Sequence, residues 1–293
     1  MAELVGAVTT SHVPAIGMAM DTRITQDPYW KPLFDGYLPA KELVRELAPD
    51  ITIVVYNDHG LEVFLDRVPT FAVGAAPHYP IGDEGFGPRP IPPFTGDTDF
   101  SWHLIEQLVH REFDVSIFQE LAVDHGFSVP MSICFGGPAG EIEQWPTRVV
   151  PILVNTILYP LPTAARCYRL GRAIRQAIDD YPGAERVLIM GTGGMSHQLQ
   201  GERAGFMQPV FDRMFLDRMV DDPLALTGIS TGTFIKEAGH EGAELIMWLV
   251  ARGAMNDHVE EVYRHFHVSA SMTAAGLACY RNLQVPPVRS HVP

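Results

Sequence analysis

The 293-residue sequence contains few cysteines, few basic side chains and no long apolar segment. Its three cysteines, Cys134, Cys167 and Cys279, form no CxxC pair, which argues against a disulfide framework and favours a reducing compartment. Lys and Arg number 21 against 35 Asp and Glu, and the net charge of −14 with no basic cluster excludes a typical nucleic-acid binder. No apolar run approaches the roughly 18 residues of a membrane span, and the first residues lack the pattern of a signal peptide. These absences predict a cytoplasmic protein without nucleic-acid or membrane partners.

Short apolar runs alternate with segments of helical periodicity. This alternation predicts an α/β fold, in which a single layered domain has a largely parallel central sheet flanked by helices. The predicted strands cover residues 4–9, 51–56, 70–73, 115–118, 149–154 and 186–190. The predicted helices cover residues 40–47, 100–111, 163–181, 210–220, 242–252 and 258–267. No repeat or linker interrupts the pattern, so one domain is expected over residues 1–293.

Residues 75–98 are dense in Pro and Gly and are expected to form a long ordered loop. Loops of this length inside a compact domain are usually functional.

Four of the twelve histidines share a local pattern. His12 in AVTTSHVPA, His59 in VVYNDHG and His197 in GTGGMSHQLQG each follow a predicted strand, and the ends of parallel strands meet at one edge of a sheet. His125 follows its apolar segment at greater distance, in a second Asp-His-Gly turn. A single loop histidine is usually a capping or hydrogen-bonding residue, but four in such positions favour joint use. Neutral imidazole binds iron, zinc, copper or nickel, and it also acts as a base near neutral pH.

Two glutamates in KEAGHEGAELIMWLVARG are candidates for the carboxylate that such a site needs. Glu241 at a helix start is typical of a favourable partner of the helix dipole. Glu244 precedes the apolar LIMWLV segment, where an unpaired carboxylate is costly and a cation is expected beside it. From composition alone this cation is either a metal or an arginine. The segment HEGAE lacks the second histidine of the zinc motif HExxH, so chance similarity to that motif is the favoured interpretation.

The glycine-rich GTGGMSH segment does not match either common nucleotide-binding motif. It lacks the Gly-Lys-Ser/Thr of a Walker A loop, and Ser196 stands where GxGxxG needs its last glycine. The glycines are instead expected to let the backbone pass close to a ligand, with His197 pointing into a cavity.

Six motifs occur together between Ala7 and about Gly276, in the chain order TSHVPA, YNDHG, FGPRP, VDHG, GTGGMSHQLQG and EGAELIMWL. On these motifs the chain resembles the class II extradiol ring-cleaving dioxygenases, the LigB-like catalytic β subunits of the protocatechuate 4,5-dioxygenase type. The resemblance implies a single catalytic domain with a LigB-like α/β fold. It also implies a non-haem Fe(II) held by His12, His59 and Glu244, with His197 as the active-site base. His125 would be a second histidine acting on the substrate or on O₂.

The implied reaction is extradiol cleavage, with O₂, of a carboxylated catechol or pyrogallol such as protocatechuate, gallate or 3-O-methylgallate, in the degradation of aromatic compounds. In the protocatechuate enzymes a small residue stands near Met18, and Ser-Asn stands where this chain has Ser271 and Met272. These three positions are therefore predicted to bind the substrate, and the two methionines predict a more apolar, adaptable pocket, although neutral drift explains them equally well. The family also implies either a small α subunit or a homo-oligomer.

Several alternatives remain open from the sequence. A zinc-dependent hydrolase would use the same His and Glu cluster, and a metal-binding scaffold would keep the fold without the chemistry. His59 is expected to be oriented by Asp58 or by a backbone carbonyl. Arg89 and Arg203 lie in loops where an arginine would anchor a substrate carboxylate, but ordinary surface arginines are the favoured interpretation.

Overall fold

A computed structural model describes residues 1–136 and 142–283 of the protein. In chain order the elements are β1 (Glu3–Thr10), α1 (Pro14–Asp21), α2 (Lys31–Leu47), β2 (Ile51–Tyr56), β3 (Phe71–Gly74), β4 (His78–Tyr79), β5 (Phe94–Thr95), α3 (Thr98–His110), β6 (Ser116–Phe118), α4 (His125–Phe135), β7 (Arg148–Val154), α5 (Ala164–Asp180), β8 (Arg186–Thr192), α6 (Pro209–Asp221), α7 (Pro223–Thr227), α8 (Thr231–Ala238), α9 (Leu245–Ala254), β9 (Val259–Ala270) and β10 (Thr273–Asn282). A 3₁₀ turn, Glu241–Glu244, leads directly into α9.

Eight strands form one mixed sheet in the order β6-β3-β7-β2-β8-β1-β10-β9. Its four central strands, β7, β2, β8 and β1, are mutually parallel, whereas β3 is antiparallel to β7, β10 is antiparallel to β1 and β9 is antiparallel to β10. The short strands β4 and β5 pair separately within the predicted loop 75–98. The predicted α/β architecture with a largely parallel centre is confirmed.

Helices cover both faces of the sheet because the central strands are apolar on both sides. In β2, Ile51, Ile53 and Val55 pack with α3, α5 and α9, while Val54 and Tyr56 pack with α1, α2 and α4. All six residues of β2 are buried. A strand of this kind needs a layer on each side, which is why its sequence is a continuous apolar run rather than an alternating one.

The six predicted strands are confirmed with small shifts at their ends, but the helix predicted at 258–267 is wrong. This segment is the edge strand β9, and its partner β10 was not predicted. The apolar spacing of Val259, Val262, Tyr263 and Phe266 suits a helix, and only pairing with β10 decides the conformation. The connecting residues Ser271 and Met272 both have positive φ, as in a type I′ hairpin turn, yet they lack the Asn-Gly signature of that turn.

Among the described helices, one was predicted too short and four were not predicted. Helix α2 begins at Lys31 rather than at residue 40 and contains Pro39, and the unpredicted helix α4 contains Pro130. Helices α1, α7 and α8 were not predicted either. In the described part of the chain no helix has the length and apolarity needed to cross a membrane. The extension of one domain over all residues 1–293 stays a prediction.

Candidate active site

Three adjacent parallel strands bring three of the predicted histidines to one edge of the sheet. His12 follows β1, His59 follows β2 and His197 follows β8, and these strands are neighbours in the order β2-β8-β1. Two further residues come from helices on opposite faces. His125 is the first residue of α4, and Glu244 is the last residue of the 3₁₀ turn before α9. The fold therefore gathers all five residues at the carboxyl ends of the central strands, where ligands bind in sheets of this type.

His12, His59 and Glu244 face one another closely. The Nε2 atom of His12 lies 3.2 Å from Oε2 of Glu244, and Nε2 of His59 lies 3.6 Å from Oε1 of the same carboxylate. The His125 ring stacks on the His59 ring with centroids 3.9 Å apart, and ring nitrogens of His12, His59 and His125 lie within 4.8 Å of one another. This part of the molecule could hold a metal ion.

Hydrogen bonds to the Nδ1 atoms of His12 and His59 determine which nitrogen points at the carboxylate. Nδ1 of His12 lies 3.0 Å from Oγ1 of Thr192, and that hydroxyl donates its own proton to the carbonyl of Gly126 at 3.2 Å. The hydroxyl oxygen therefore accepts the His12 Nδ1–H. Nδ1 of His59 donates to Oδ2 of Asp124 at 2.8 Å. Both rings thus direct Nε2 toward Glu244, which is how a metal-ligating histidine is usually held.

Asp124, and not Asp58, orients the imidazole of His59. The Asp58 carboxylate accepts hydrogen bonds from the backbone N–H groups of Gly60, Glu62 and Val63, so it shapes the turn that follows β2. The expectation that Asp58 or a backbone carbonyl orients the ring is wrong. The true partner is distant in the chain, and only the fold brings it close.

The electrostatics of this cluster favour a positive charge between the rings and the carboxylate. Burial opposes protonation of His59, but the Asp124 and Glu244 carboxylates outweigh it and raise the pKa of His59 to about 10. Burial would also raise the pKa of Glu244, but the neighbouring His12 and His59 hold it well below its usual range. Burial is likewise outweighed at Asp124, where His59 lowers the pKa to about 2. The two carboxylates are therefore ionised at neutral pH.

The chemistry of the donor set fits a divalent metal. Two imidazole nitrogens and one carboxylate oxygen converge, and within the described ranges the polar partners of Glu244 are His12, His59, the Asn57 amide and the Gly194 N–H. Of the two cations that the sequence left open, arginine does not pair with Glu244 within these ranges, whereas the converging donors could hold a metal. In addition, Oδ1 of Asn57 is buried beside the cluster without a hydrogen-bond partner.

His197 presents a free ring nitrogen at the same edge. Its Nδ1–H donates to the carbonyl of Met195 at 2.8 Å, which leaves Nε2 unprotonated and able to accept a proton in a neutral ring. The side chain is buried. The two preceding glycines leave room for the His197 ring and for Glu244. A Cβ on Gly194 would lie 2.3 Å from the His197 ring, and a Cβ on Gly193 would lie 2.9 Å from Cβ of Glu244. The Gly194 N–H also donates to Oε2 of Glu244 at 2.7 Å.

His125 is held by Glu84, a residue of the loop 75–98 that was not singled out in the sequence. The Glu84 carboxylate accepts the backbone N–H of His125 at 2.8 Å through Oε1 and the Nδ1–H of its ring through Oε2. Burial and the neighbouring His59 lower the pKa of His125, so its ring is neutral at neutral pH. The loop was expected to be functional from its length, but no motif pointed to Glu84 itself.

Met18, Ser271 and Met272 lie on the exposed rim of this edge. Met18 lies on α1, shortly after His12, and is 58 % exposed, whereas Met272 at the tip of the β9–β10 hairpin is 53 % exposed. The Ser271 N–H donates to the hydroxyl of Tyr29 at 2.9 Å. Close to the tip of the hairpin, Ala274 exchanges backbone hydrogen bonds with the segment before His197. The role of these three residues in substrate binding stays a prediction.

The two loop arginines have partners of their own. Arg89 is largely buried and forms a two-point ion pair with Asp21, at 2.8 and 2.9 Å, and it donates to the hydroxyl of Ser132 at 3.0 Å. The interpretation of Arg89 as an ordinary surface arginine is therefore wrong. Arg203 lies over the ring of Phe206 and donates to the carbonyl of Lys236.

A cleft of about 350 Å³ opens beside His59, toward the ends of β2 and β7. Its lining is mostly apolar and consists of Asp58, His59, Gly60, Val63, Phe64, Leu65, Val68, Pro69, Leu153, Val154, Asn155, Thr156 and Ile157. Of the five site residues, His59 contributes to the lining of this cleft.

Comparisons with known proteins agree with this geometry. The family described as the catalytic LigB subunit of aromatic ring-opening dioxygenase matches residues 6–280. Gallate dioxygenase of Pseudomonas putida is 42 % identical, over 69 % of this chain and 58 % of its own length. The enzymes named 2,3-dihydroxyphenylpropionate/2,3-dihydroxicinnamic acid 1,2-dioxygenase are 30 % identical in Photorhabdus laumondii (69 % of this chain, 59 % of the relative) and 26 % identical in Rhodococcus jostii (86 % and 89 %). The chain thus spans less than two thirds of the first two relatives.

A solved structure of an uncharacterized protein from Escherichia coli K12 has the same fold. The TM-score is 0.60 at 13 % identity, and the match covers 94 % of this chain and 99 % of the other. At this identity the likeness supports the fold alone.

Proposed function

The chain belongs to the LigB family of aromatic ring-opening dioxygenase catalytic subunits, and we propose that it catalyses the extradiol cleavage of a carboxylated catechol or pyrogallol with O₂. The observation that carries the proposal is the convergence of two imidazole Nε2 atoms on the buried carboxylate of Glu244. The similarity to gallate dioxygenase supports gallate as the substrate, and protocatechuate and 3-O-methylgallate are the related diols that we propose beside it. A zinc hydrolase using the same cluster has no specific observation in its favour.

The proposed cofactor is Fe(II), held by His12, His59 and Glu244. Bound iron in such a two-histidine, one-carboxylate site supplies a Lewis acid for the diol and open positions at which both the diol and O₂ can bind. The protein's contribution is to hold the donor atoms of the three ligands in one orientation before the metal binds. Thr192 and Asp124 do this by accepting the Nδ1–H groups of the two histidines.

His197 is proposed to take a proton from a hydroxyl of the diol. Its Nε2 is the unprotonated nitrogen because Nδ1–H is committed to the Met195 carbonyl, and the burial of the ring keeps competing water away. A positioned general base typically contributes about 10² to 10⁴ in rate. The backbone around Gly194 fixes the ring within the site.

His125 is proposed to contact the reactants from the face of the sheet that α4 covers, opposite to the face from which Glu244 comes. Its ring is neutral and donates Nδ1–H to Glu84, so Nε2 is left to accept a hydrogen bond from the substrate or to guide O₂. The stacking of the His125 ring on His59, one of the proposed ligands, supports this role.

The surroundings of the site suggest further proposals. Exposed apolar side chains on its rim, among them Met18, Phe64 and Met272, fit a small α subunit or a second copy of the chain that covers the site. The three cysteines are free and buried, in keeping with a cytoplasmic location.

The test is O₂ uptake by the protein loaded anaerobically with Fe(II), with protocatechuate, gallate, 3-O-methylgallate and catechol offered separately. We expect one O₂ consumed per diol and a new absorption band of the ring-opened product, with Zn(II)-loaded protein as the inactive control. Iron binding without uptake on any diol would contradict the substrate class. Failure to bind iron at all would contradict the ligand set.

A further inference from the structure

We propose that Glu84 is a positioning residue, which fixes the tautomer and the orientation of His125 so that its Nε2 acts in the site. The kinetic part of this inference rests on the proposed function, whereas its structural part does not. Both are tested separately below.

Glu84 and His125 make a two-point contact. One carboxylate oxygen accepts the backbone N–H of His125 at 2.8 Å, and the other accepts its ring Nδ1–H. A carboxylate accepts hydrogen bonds only, so the proton of the neutral ring must lie on Nδ1. Because the backbone N–H is held at the same time, the ring cannot turn over without breaking the contact.

The same arrangement recurs at the neighbouring histidine. The Asp124 carboxylate accepts both the backbone N–H and the ring Nδ1–H of His59, each at 2.8 Å. Two stacked imidazoles are therefore held by two separate carboxylates, each through one backbone and one ring N–H. His59 faces Glu244, and a matching hold on His125 indicates that the orientation of this ring matters too.

Hydrogen bonds hold the loop in place on both sides of Glu84. Oδ1 of Asp83 accepts the N–H groups of Gly85 and Gly87, at 2.9 and 2.8 Å, and both glycines have positive φ. Backbone hydrogen bonds at 2.9 Å join Gly82 N–H to the Val123 carbonyl and Val123 N–H to the Pro80 carbonyl. The loop is thus tied to the segment that leads into His125.

A second metal site in this place is the competing interpretation, because Glu84, Asp124 and His125 have potential ligand atoms within 4.8 Å of one another. The hydrogen bonds argue against it. Both oxygens of Glu84 accept from His125, and the oxygens of Asp124 accept from Gly126 and from His59. With N–H donors already directed at these oxygens, positioning is the function that the contacts support.

The first experiment is independent of catalysis. In metal-free protein labelled with ¹⁵N-histidine, the His125 signals, assigned by their loss in His125→Phe, should show a protonated Nδ1 and an unprotonated Nε2. Glu84→Ala should move both nitrogens toward averaged values, and Glu84→Gln, which keeps one acceptor, should give an intermediate result. Unchanged His125 signals in Glu84→Ala would overturn the inference.

The matched control is Glu62→Ala. Glu62 is an exposed glutamate whose carboxylate accepts a single backbone N–H, that of Ala122, close to the same segment. It contacts none of the site histidines through the hydrogen bonds of the described residues. This variant should leave the His125 signals and turnover unchanged, and a shift as large as that of Glu84→Ala would also contradict the inference.

The second experiment is a double-mutant cycle on turnover. Glu84→Ala should lower kcat about 10- to 100-fold, as is usual for partners that orient site histidines, without changing the amount of bound Fe(II). In a His125→Ala background the same change should have no further effect, since Glu84 acts through that ring. An equal loss in both backgrounds would overturn the inference. If the wild-type protein consumes no O₂ with any diol, the proposed function fails, and the ¹⁵N result still decides the role of Glu84.

Discussion

The histidine and glutamate cluster, which is largely buried except at His59, and the exposed rim of the site are built in different ways. His12, His197 and Glu244 are 3 %, 7 % and 5 % exposed, whereas Met18 and Met272 are 58 % and 53 % exposed. Each cluster residue has hydrogen-bond partners that fix its orientation, but the two methionines offer only apolar, flexible side chains to the rim. The cluster is therefore suited to a reaction that needs fixed geometry, and the rim is suited to variation in the substrate.

Burial explains this difference. An ionised carboxylate away from water is tolerated only with opposite charge and hydrogen bonds around it, so Glu244 requires its two histidines and the Gly194 N–H. Removing one partner from such a group is costly. An exposed methionine has no such dependence, and substitutions there are usually mild.

The largest effect is expected for Glu244→Gln. This change removes the negative charge from the proposed iron site. Fe(II) affinity should fall by at least about 100-fold, because losing a direct ligand costs more than losing a residue that only orients a ligand. Chelator competition under anaerobic conditions measures it.

Glu241→Gln is the matched control for this change. Glu241 precedes Glu244 in the same 3₁₀ turn, and its carboxylate accepts the Leu199 N–H at 3.2 Å. Its replacement should leave Fe(II) affinity unchanged. Equal losses in the two variants would remove the distinction between the two glutamates.

His197→Ala is expected to separate chemistry from metal binding. With the proposed base removed, kcat should fall by about 10² to 10⁴ while the Fe(II) content stays at the wild-type level. Exposed His240 supplies the control, since His240→Ala should change neither quantity. Loss of iron together with activity would place His197 among the ligands.

Asp212→Asn tests the carboxyl group that holds Ser196, the residue before His197. Asp212 is buried and accepts the N–H and the hydroxyl of Ser196, and burial raises its pKa from the usual 3.8 to about 6. Because the folded protein holds this proton more tightly than the unfolded chain, the contribution to stability is present below about pH 4 and is lost as the pH rises through 6.

The free energy of unfolding of the wild type, relative to Asp212→Asn, should therefore fall by about 2 kcal/mol between pH 4 and pH 7.5. Urea unfolding of both proteins across this range measures the difference. A constant difference would show that the carboxyl group titrates normally.

Met272→Ala should give the smallest effect. On the exposed rim the change removes part of an apolar contact, so KM for a methoxylated diol should rise by about 10-fold or less, with kcat and Fe(II) affinity unchanged. Leu224→Ala, which alters an exposed apolar side chain on α7, is the control. A large fall in kcat would place Met272 with the cluster and erase the contrast between the two regions.

Much of the architecture follows from local patterns in the chain. The strands β2, β7 and β8 are continuous apolar runs, and such runs are characteristic of strands covered on both faces. The β9–β10 hairpin could not be predicted in the same way. Its edge strand has apolar spacing that also suits a helix, and its Ser-Met turn adopts positive φ without the usual turn residues.

The sequence by itself determined the four parallel central strands and the proposal that His12, His59, His125 and His197 act together at their ends. The strand order and the positive-φ hairpin were decided by tertiary structure. So were the contacts of Asp124 with His59 and of Glu84 with His125. The physical reason is the range of each interaction. Apolar runs and strand-end turns act between near neighbours in the chain and leave a local pattern, whereas a carboxylate that orients a ring many residues away acts only once folding has brought the two together.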